Sequence, residues 1–337
     1  MKTLLHQSAI ELTLDKLAGI EAIDKFVAKE FSQVSTLNDD EAALWSALLV
    51  CLSYMQRNGH SCVSLCDIAN TRYFEDKSVT QDANGEQASQ IEEKSAKEGI
   101  MFPSLTSLIR IVKGALEDKR AAQLFVYEHG RLYSRRYYDF EQEIAQSVVE
   151  RTLFEPLDDS AVVNLKSIWA SMFPTETTQQ QDWQQVAVAK CLVQRFGVIN
   201  GGPGTGKTYT VLRLLLALQA IDSELNIVLA APTGKAQQRM TESILNSIEG
   251  LRGAIDDDTL ARVPTDAITI HRLLGLREHT VQTQYHRHRL LNIDVLIVDE
   301  ASMVDLALMA RIVRALPAHA KLYFIGDADQ LLSRRIG

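Results

Sequence analysis

Gly201-Gly202-Pro203-Gly204-Thr205-Gly206-Lys207-Thr208 decides how the rest of this chain is read. The octapeptide matches G-x-x-x-x-G-K-[ST] in full and follows the apolar run Phe196 to Ile199. Glycines in these places let successive backbone N–H groups turn inward around phosphate oxygens. Lys207 is then placed to reach the β and γ oxygens, and the Thr208 hydroxyl to ligate Mg²⁺. From Thr208 onward, TYTVLRLLLALQAI reads as a helix whose N-terminal dipole points at the same anion. The motif implies a nucleoside triphosphate. A plain glycine-rich turn is the competing reading, and a strand before and a helix after weigh against it.

Working outward, Ile293 to Met303 (IDVLIVDEASM) is a buried strand ending in two acids. Asp299 would hold Mg²⁺, and Glu300 would orient and deprotonate an attacking water. Apolar strands often end in an acid, so this segment draws its meaning from the loop upstream. From Trp183 the pattern alternates: helix Trp183 to Leu192, strand and P-loop, helix, strand Ile227 to Ala230, helix Ala236 to Ile248, a polar stretch, strand Val295 to Val298, a helix, strand Leu322 to Ile325. Such alternation predicts an α/β fold, a parallel sheet with helices on both faces and ligands at the carboxyl ends of its strands.

The first half reads differently. Its residues form mainly helices, Glu41 to Tyr54 being the clearest, and Gly130 to Tyr138 reads as a strand leading into a helix from Phe140. Residues 75 to 99 are polar and charged and read as a surface loop or linker helix, and a polar break at Thr175 to Asp182 precedes the nucleotide module. We therefore expect a mainly helical N-terminal domain over 1–160, serving to dock a partner, and an ATP-binding domain over 161–337.

Of 337 residues, 46% are hydrophobic and 23% charged, ordinary for a globular protein. No apolar stretch approaches the roughly 20 residues of a membrane span, and charges interrupt the N-terminal apolar run, which points to a cytoplasmic protein with no membrane partner. Cys51, Cys62, Cys66 and Cys191 read as packed thiols; a metal site from Cys62, Cys66 and His60 would lack ligands. Net charge is −8, but residues 1–160 carry 17 Lys and Arg against 26 Asp and Glu, so the acidic balance lies in the first half. That half is a poor DNA-binding surface and a better protein-docking one.

A P-loop with an acidic strand end leaves kinases, AAA-type motors, GTPases and helicases open. Three further segments narrow the choice. Thr233, Gly234 and Lys235, in Ala231-Pro232-Thr233-Gly234-Lys235-Ala236, follow the second strand and suit a phosphate of a nucleic-acid strand lying across the sheet. Gln330, in Gly326-Asp327-Ala328-Asp329-Gln330-Leu331, is placed to touch the γ-phosphate. Gln184 opens the helix before the P-loop, where it could read the adenine edge. Each alone is an ordinary turn or polar strand end; their joint order is what narrows the reading.

The ordered set WQQVAVA, GGPGTGKT, LAAPTGKAQQRMTES, ITIHRLLG, VLIVDEASMVD and FIGDADQL resembles motifs Q, I, Ia, Ib, II and III of superfamily 1 helicases of the 5′-to-3′ type. It is most similar to the RecD family, α subunits of exodeoxyribonuclease V. GRLYSRRYYDFEQEIA and LSYMQRNGHSCVSL resemble that family's N-terminal region. The resemblance implies a RecA-like P-loop NTPase domain, the first of two, and an ATP-dependent motor acting on single-stranded DNA and duplex ends in double-strand break repair, with RecB-like and RecC-like partners. It assigns Gln184 to adenine, Gly201 to Thr208 to the phosphates, Thr208 and Asp299 to Mg²⁺, Glu300 to water and Gln330 to the γ-phosphate, and it turns Thr233, Gly234, Lys235 and His271 towards DNA. Residues 1–200 show no Gly-rich hairpin pairs of the kind seen in RecD-like helicases that act alone, which favours the complex-bound subunit.

Two departures stand against the family pattern. After Gln330 the chain reads Leu331-Leu332-Ser333-Arg334-Arg335-Ile336-Gly337 instead of a Ser-Val-type turn and a Gly-led helix, and motifs IV to VI with their arginines are not in this sequence. The expectation is a C-terminally truncated chain that binds ATP and cannot unwind DNA alone. A scaffold subunit that binds ATP without motor activity is the rival reading. A nucleoside kinase would leave Thr233, Lys235 and Gln330 without a role.

Overall fold

The computed structural model describes residues 17–74, 99–173, 182–202, 204–276 and 282–327. The chain divides into two compact units, Met1–Phe140 and Glu141–Gly337.

The first unit is built around a helix that is apolar on every side. Helix α1 (Ala22–Phe31) precedes α2 (Asp39–Arg57), in which Trp45 through Ser53 are all buried. Asn38 caps α2 reciprocally: its side chain accepts from the Glu41 N–H at 3.0 Å while the Glu41 carboxylate accepts from the Asn38 N–H at 3.3 Å. Trp45, fully buried, meets Phe125 edge-on at 5.4 Å, joining the helix to a small sheet. That sheet holds β1 (Cys62–Ser64); helix α3 (Leu65–Ile68) follows, then the strand pair β2 (Arg72–Tyr73) and β3 (Ile100–Met101). Helices α4 (Leu105–Ala115) and α5 (Lys119–Leu124) lead to β4 (Phe125–Glu128) and β5 (Arg131–Ser134), and the order β1-β5-β4 is antiparallel. His129 (φ 48°) and Gly130 (φ 77°) form the two-residue loop between β4 and β5, both in the left-handed region that such hairpins require. The strand expected to reach Tyr138 therefore stops at Ser134, and helix α6 (Arg135–Arg151) begins at once.

In the second unit, α7 (Asp159–Met172) and α8 (Trp183–Leu192) lead to β6 (Phe196–Asn200), the P-loop and α9 (Lys207–Ile221). Then come β7 (Ile227–Ala231), α10 (Gly234–Glu249), α11 (Asp257–Ala261), β8 (Ala267–Thr269) and α12 (Ile270–Leu273). The unit continues through β9 (Val295–Val298), α13 (Leu306–Ala315) and β10 (Lys321–Gly326). The five strands form one parallel sheet in the order β6-β10-β9-β7-β8. Alternate residues of β9 serve two cores: Val295 and Ile297 pack with Leu212, Leu215 and Met240, while Leu296 and Val298 pack with Ile270, Leu308 and Ile312. Helices therefore cover both faces, as the alternating pattern predicts. Strand β8 lies inside the stretch read as polar; three residues are too few to display a period of two.

Candidate functional site

The sheet register places the motifs side by side. Asn200 pairs with Gly326, Val298 with both Phe324 and Ala230, and Ala231 with Thr269. The segments that follow these residues therefore leave the sheet along one carboxyl edge. In order they are the P-loop, Asp327, Asp299-Glu300, Pro232 to Lys235, and the Thr269 to His271 turn.

Within the P-loop, Gly204 (φ 76°) and Gly206 (φ 79°) occupy left-handed conformations that an L side chain resists. A Cβ on Gly201 would stand 2.5 Å from Thr205 Oγ1, and one on Gly206 would stand 2.4 Å from Gln184 Nε2. The Gly201 N–H donates to the Gly326 carbonyl at 3.3 Å, tying the loop to β10. Thr205 Oγ1 donates to the Gly202 carbonyl at 2.9 Å, and Lys207 Nζ donates to the Gly201 carbonyl, which keeps the ammonium inside the loop. Helix α9 starts at Lys207 with Thr208 next, so the loop leads straight into a helix N-terminus. Pro203 lies outside the described residues.

Asp182 caps α8, its carboxylate accepting from the N–H groups of Gln184 and Gln185 at 2.9 and 3.3 Å. The cap sets Gln184 over the loop, where Nε2 donates to the Thr205 carbonyl at 3.3 Å and Oε1 accepts from Arg213 Nη1 at 2.6 Å.

Asp299 is half-buried at the end of β9, its Oδ1 accepting from the Glu300 N–H at 2.8 Å. Burial raises its pKa above the usual 3.8 and the neighbouring Glu300 charge adds to this, while the Glu300 N–H and the Lys207 charge work the other way. Glu300 itself sits at φ 50°, ψ 43°, a left-handed conformation that costs a non-glycine residue energy. It opens a short 3₁₀ turn, Ala301–Met303, whose Met303 N–H donates to the Glu300 carbonyl at 2.9 Å.

Thr233 caps α10, its hydroxyl accepting from the Ala236 N–H at 3.2 Å, and Thr233, Gly234 and Lys235 are exposed. His271 is exposed on α12, whose cap Thr269 accepts from the Arg272 N–H at 3.2 Å. Gln330 lies outside the described residues. Sequence reasoning gave no role to Asp327, which is buried directly after β10 between the P-loop and Asp299 strands, nor to Arg213. A position one helical turn beyond Tyr209 carries no signal in one dimension.

The residues present fit a nucleoside triphosphate with a hard divalent cation. A Cβ at Gly201 or Gly206 would displace the Thr205 or Gln184 side chain, and Thr208 and Asp299 offer oxygen donors of the kind Mg²⁺ takes in ones and twos alongside phosphates. Among the described residues no set of three or more His, Cys, Asp or Glu is placed to hold a metal, and no helix is long and apolar enough to cross a membrane.

The sheet, with this loop at its carboxyl edge and β10 between the P-loop strand and the Asp299 strand, defines a RecA-like P-loop nucleotide-binding domain. A family model described as an AAA domain matches residues 184–335. The RecBCD enzyme subunit RecD of Haemophilus influenzae is 39% identical over 219 residues, covering 63% of this chain and 33% of that protein. The subunit of the same name from Mycobacterium tuberculosis is 31% identical over 339 residues, covering 99% of this chain and 52% of that one. The ATP-dependent RecD2 DNA helicase of Deinococcus radiodurans is 32% identical over 215 residues, covering 63% and 26%. The chain is thus similar to RecD subunits over nearly its whole length. It spans about half, or less, of the length of the curated relatives it matches.

Proposed function

We propose that this chain supplies the ATP-binding motor domain of a DNA helicase subunit that works in the cytoplasm with RecB-like and RecC-like partners, on single strands and duplex ends during double-strand break repair. The observation that carries this reading is the shared edge. The nucleotide loop, the Asp299-Glu300 pair and the exposed Thr233-Gly234-Lys235 segment all leave one side of one sheet, so a change at the phosphates has a short rigid path to a bound strand.

In this reading the P-loop amides and Lys207 hold the triphosphate, and Gln184 meets the adenine edge. Thr208 and Asp299 hold Mg²⁺, which would neutralise charge on the phosphate oxygens. The pair of acids divides its work by environment. Asp299, partly buried, lies where the Lys207 charge acts on it, and Glu300 is turned out of the strand by its left-handed backbone to accept a proton from water. Gln330 is assigned to the γ-phosphate, and Thr233, Gly234, Lys235 and His271 to DNA. The names of the relatives support a helicase and an assembly of the RecBCD kind.

The test is thermodynamic coupling. Single-stranded DNA is titrated into the full chain with and without Mg·ATP, and into Lys235→Ala. Nucleotide-dependent DNA affinity that weakens in Lys235→Ala supports the motor reading. DNA affinity indifferent to nucleotide overturns it in favour of a scaffold that binds ATP.

A further inference from the structure

Arg213 has no place in the chemistry above, yet its surroundings are specific. It lies on α9 one turn beyond Tyr209, its guanidinium 5.2 Å from the Tyr209 ring centroid and 4.7 Å from that of Phe173, which follows α7. Its Nε is buried with no hydrogen-bond partner among the described residues. The group is therefore held by two aromatic rings and by one hydrogen bond, from Nη1 to Gln184 Oε1 at 2.6 Å.

That bond fixes which way round the Gln184 amide sits. Its oxygen faces a donor, Arg213 Nη1, and its nitrogen faces an acceptor, the Thr205 carbonyl at 3.3 Å. Turning the amide over would set NH₂ against guanidinium and oxygen against carbonyl, two repulsive contacts in place of two attractive ones. An amide carries two N–H donors and two oxygen lone pairs, so one donor and one acceptor remain, in a fixed order. Adenine presents N6–H beside N7, a donor next to an acceptor, and matches a glutamine amide in one orientation only. Guanine presents O6 beside N7, two acceptors, and meets the amide oxygen unfavourably in either orientation.

We infer that Arg213 is a positioning residue for nucleobase selection: it locks the Gln184 amide in the orientation that accepts adenine, and so sets the preference for ATP over GTP. This rests on the reading of Gln184 as the base contact, and the experiment separates the two. Without Arg213 only the Thr205 carbonyl still orders the amide, and the turned-over orientation becomes populated. ATP loses its preorganised partner, while GTP, mismatched either way, loses little.

The measurement is equilibrium displacement of a fluorescent ATP analogue from the full chain by unlabelled ATP and by GTP. The variants are Arg213→Met, Gln184→Ala and the double variant. Arg213→Met is expected to weaken ATP about twofold with GTP nearly unchanged, since an amide divided between two orientations is competent about half of the time. Gln184→Ala should abolish the preference, and adding Arg213→Met to it should change nothing further. Equal loss for both nucleotides in Arg213→Met would mean a purely structural role and overturns the inference. A preference that collapses in Gln184→Ala but survives Arg213→Met overturns the inference alone. A preference intact in Gln184→Ala removes the base-contact reading and the inference with it. If Arg213→Met does not fold, Arg213→Lys serves, keeping a donor without the planar fork; a partial, ATP-selective loss is expected, and an equal loss for both nucleotides again overturns the inference.

Discussion

Glu300→Gly should make this protein more stable and less active. Glu300 lies at φ 50°, ψ 43°, where an L side chain costs about 1–2 kcal/mol and glycine pays almost nothing. Against that gain stands the greater freedom of glycine in the unfolded chain, about 0.5–1 kcal/mol. The substitution also removes one of the influences that raise the pKa of Asp299, so ionised Asp299 is less strained in the folded state. The difference is a net stabilisation of about 0–1.5 kcal/mol, which for a unit of this size moves the thermal midpoint up by as much as roughly 6 °C. Glu300→Gln is the control: it keeps the backbone strain and should leave the midpoint within about a degree, while removing the proton acceptor. Scanning calorimetry on the three chains, with ATP hydrolysis in parallel, decides it. A Glu300→Gly midpoint below that of the parent refutes the strain argument, and hydrolysis at the parental rate in Glu300→Gln removes this side chain from the chemistry.

Two further predictions rest on other parts of the molecule. Lys207→Ala should weaken Mg·ATP at least tenfold by isothermal titration, because a charge-assisted hydrogen bond is worth roughly 1.5–3 kcal/mol; equal affinities would remove the P-loop assignment. In the first unit, fully buried Asp24 bonds Arg57 Nη2 at 2.7 Å and Ser53 Oγ at 2.6 Å. Burial by itself would raise its pKa, but Arg57, Ser53 and the Glu21 N–H together hold it below the ordinary 3.8. A depressed folded pKa gives stability that is complete above the unfolded value and lost as pH falls through the folded one. Asp24→Asn should therefore unfold less steeply than the parent as pH drops below about 4; parallel acid profiles by circular dichroism would contradict this.

Much of the second unit was legible from the sequence because its signals are local. A glycine pattern specifies a loop whose backbone must turn inward, and an apolar run ending in Asp299-Glu300 specifies a buried strand with charge at its tip. Alternation of strands and helices then leaves a parallel sheet as the arrangement that buries both faces. The exposed Thr233-Gly234-Lys235 segment was legible for the same reason, as a helix start after a strand. The end of strand β5 was not, since Arg131 to Tyr138 keeps a strand-like aromatic composition while the chain turns into α6 at Arg135, where β4 no longer offers a partner. Nor was strand β8, which exists because Leu229 to Ala231 offer it a partner. The strand order, with β10 between the P-loop and Asp299 strands, came only from the tertiary structure, as did the left-handed backbone of Glu300 and the pinning of Gln184 by Arg213. These properties arise where segments far apart in the chain meet, and the energy of such contacts is set by distance and orientation in space, which residue order alone does not encode.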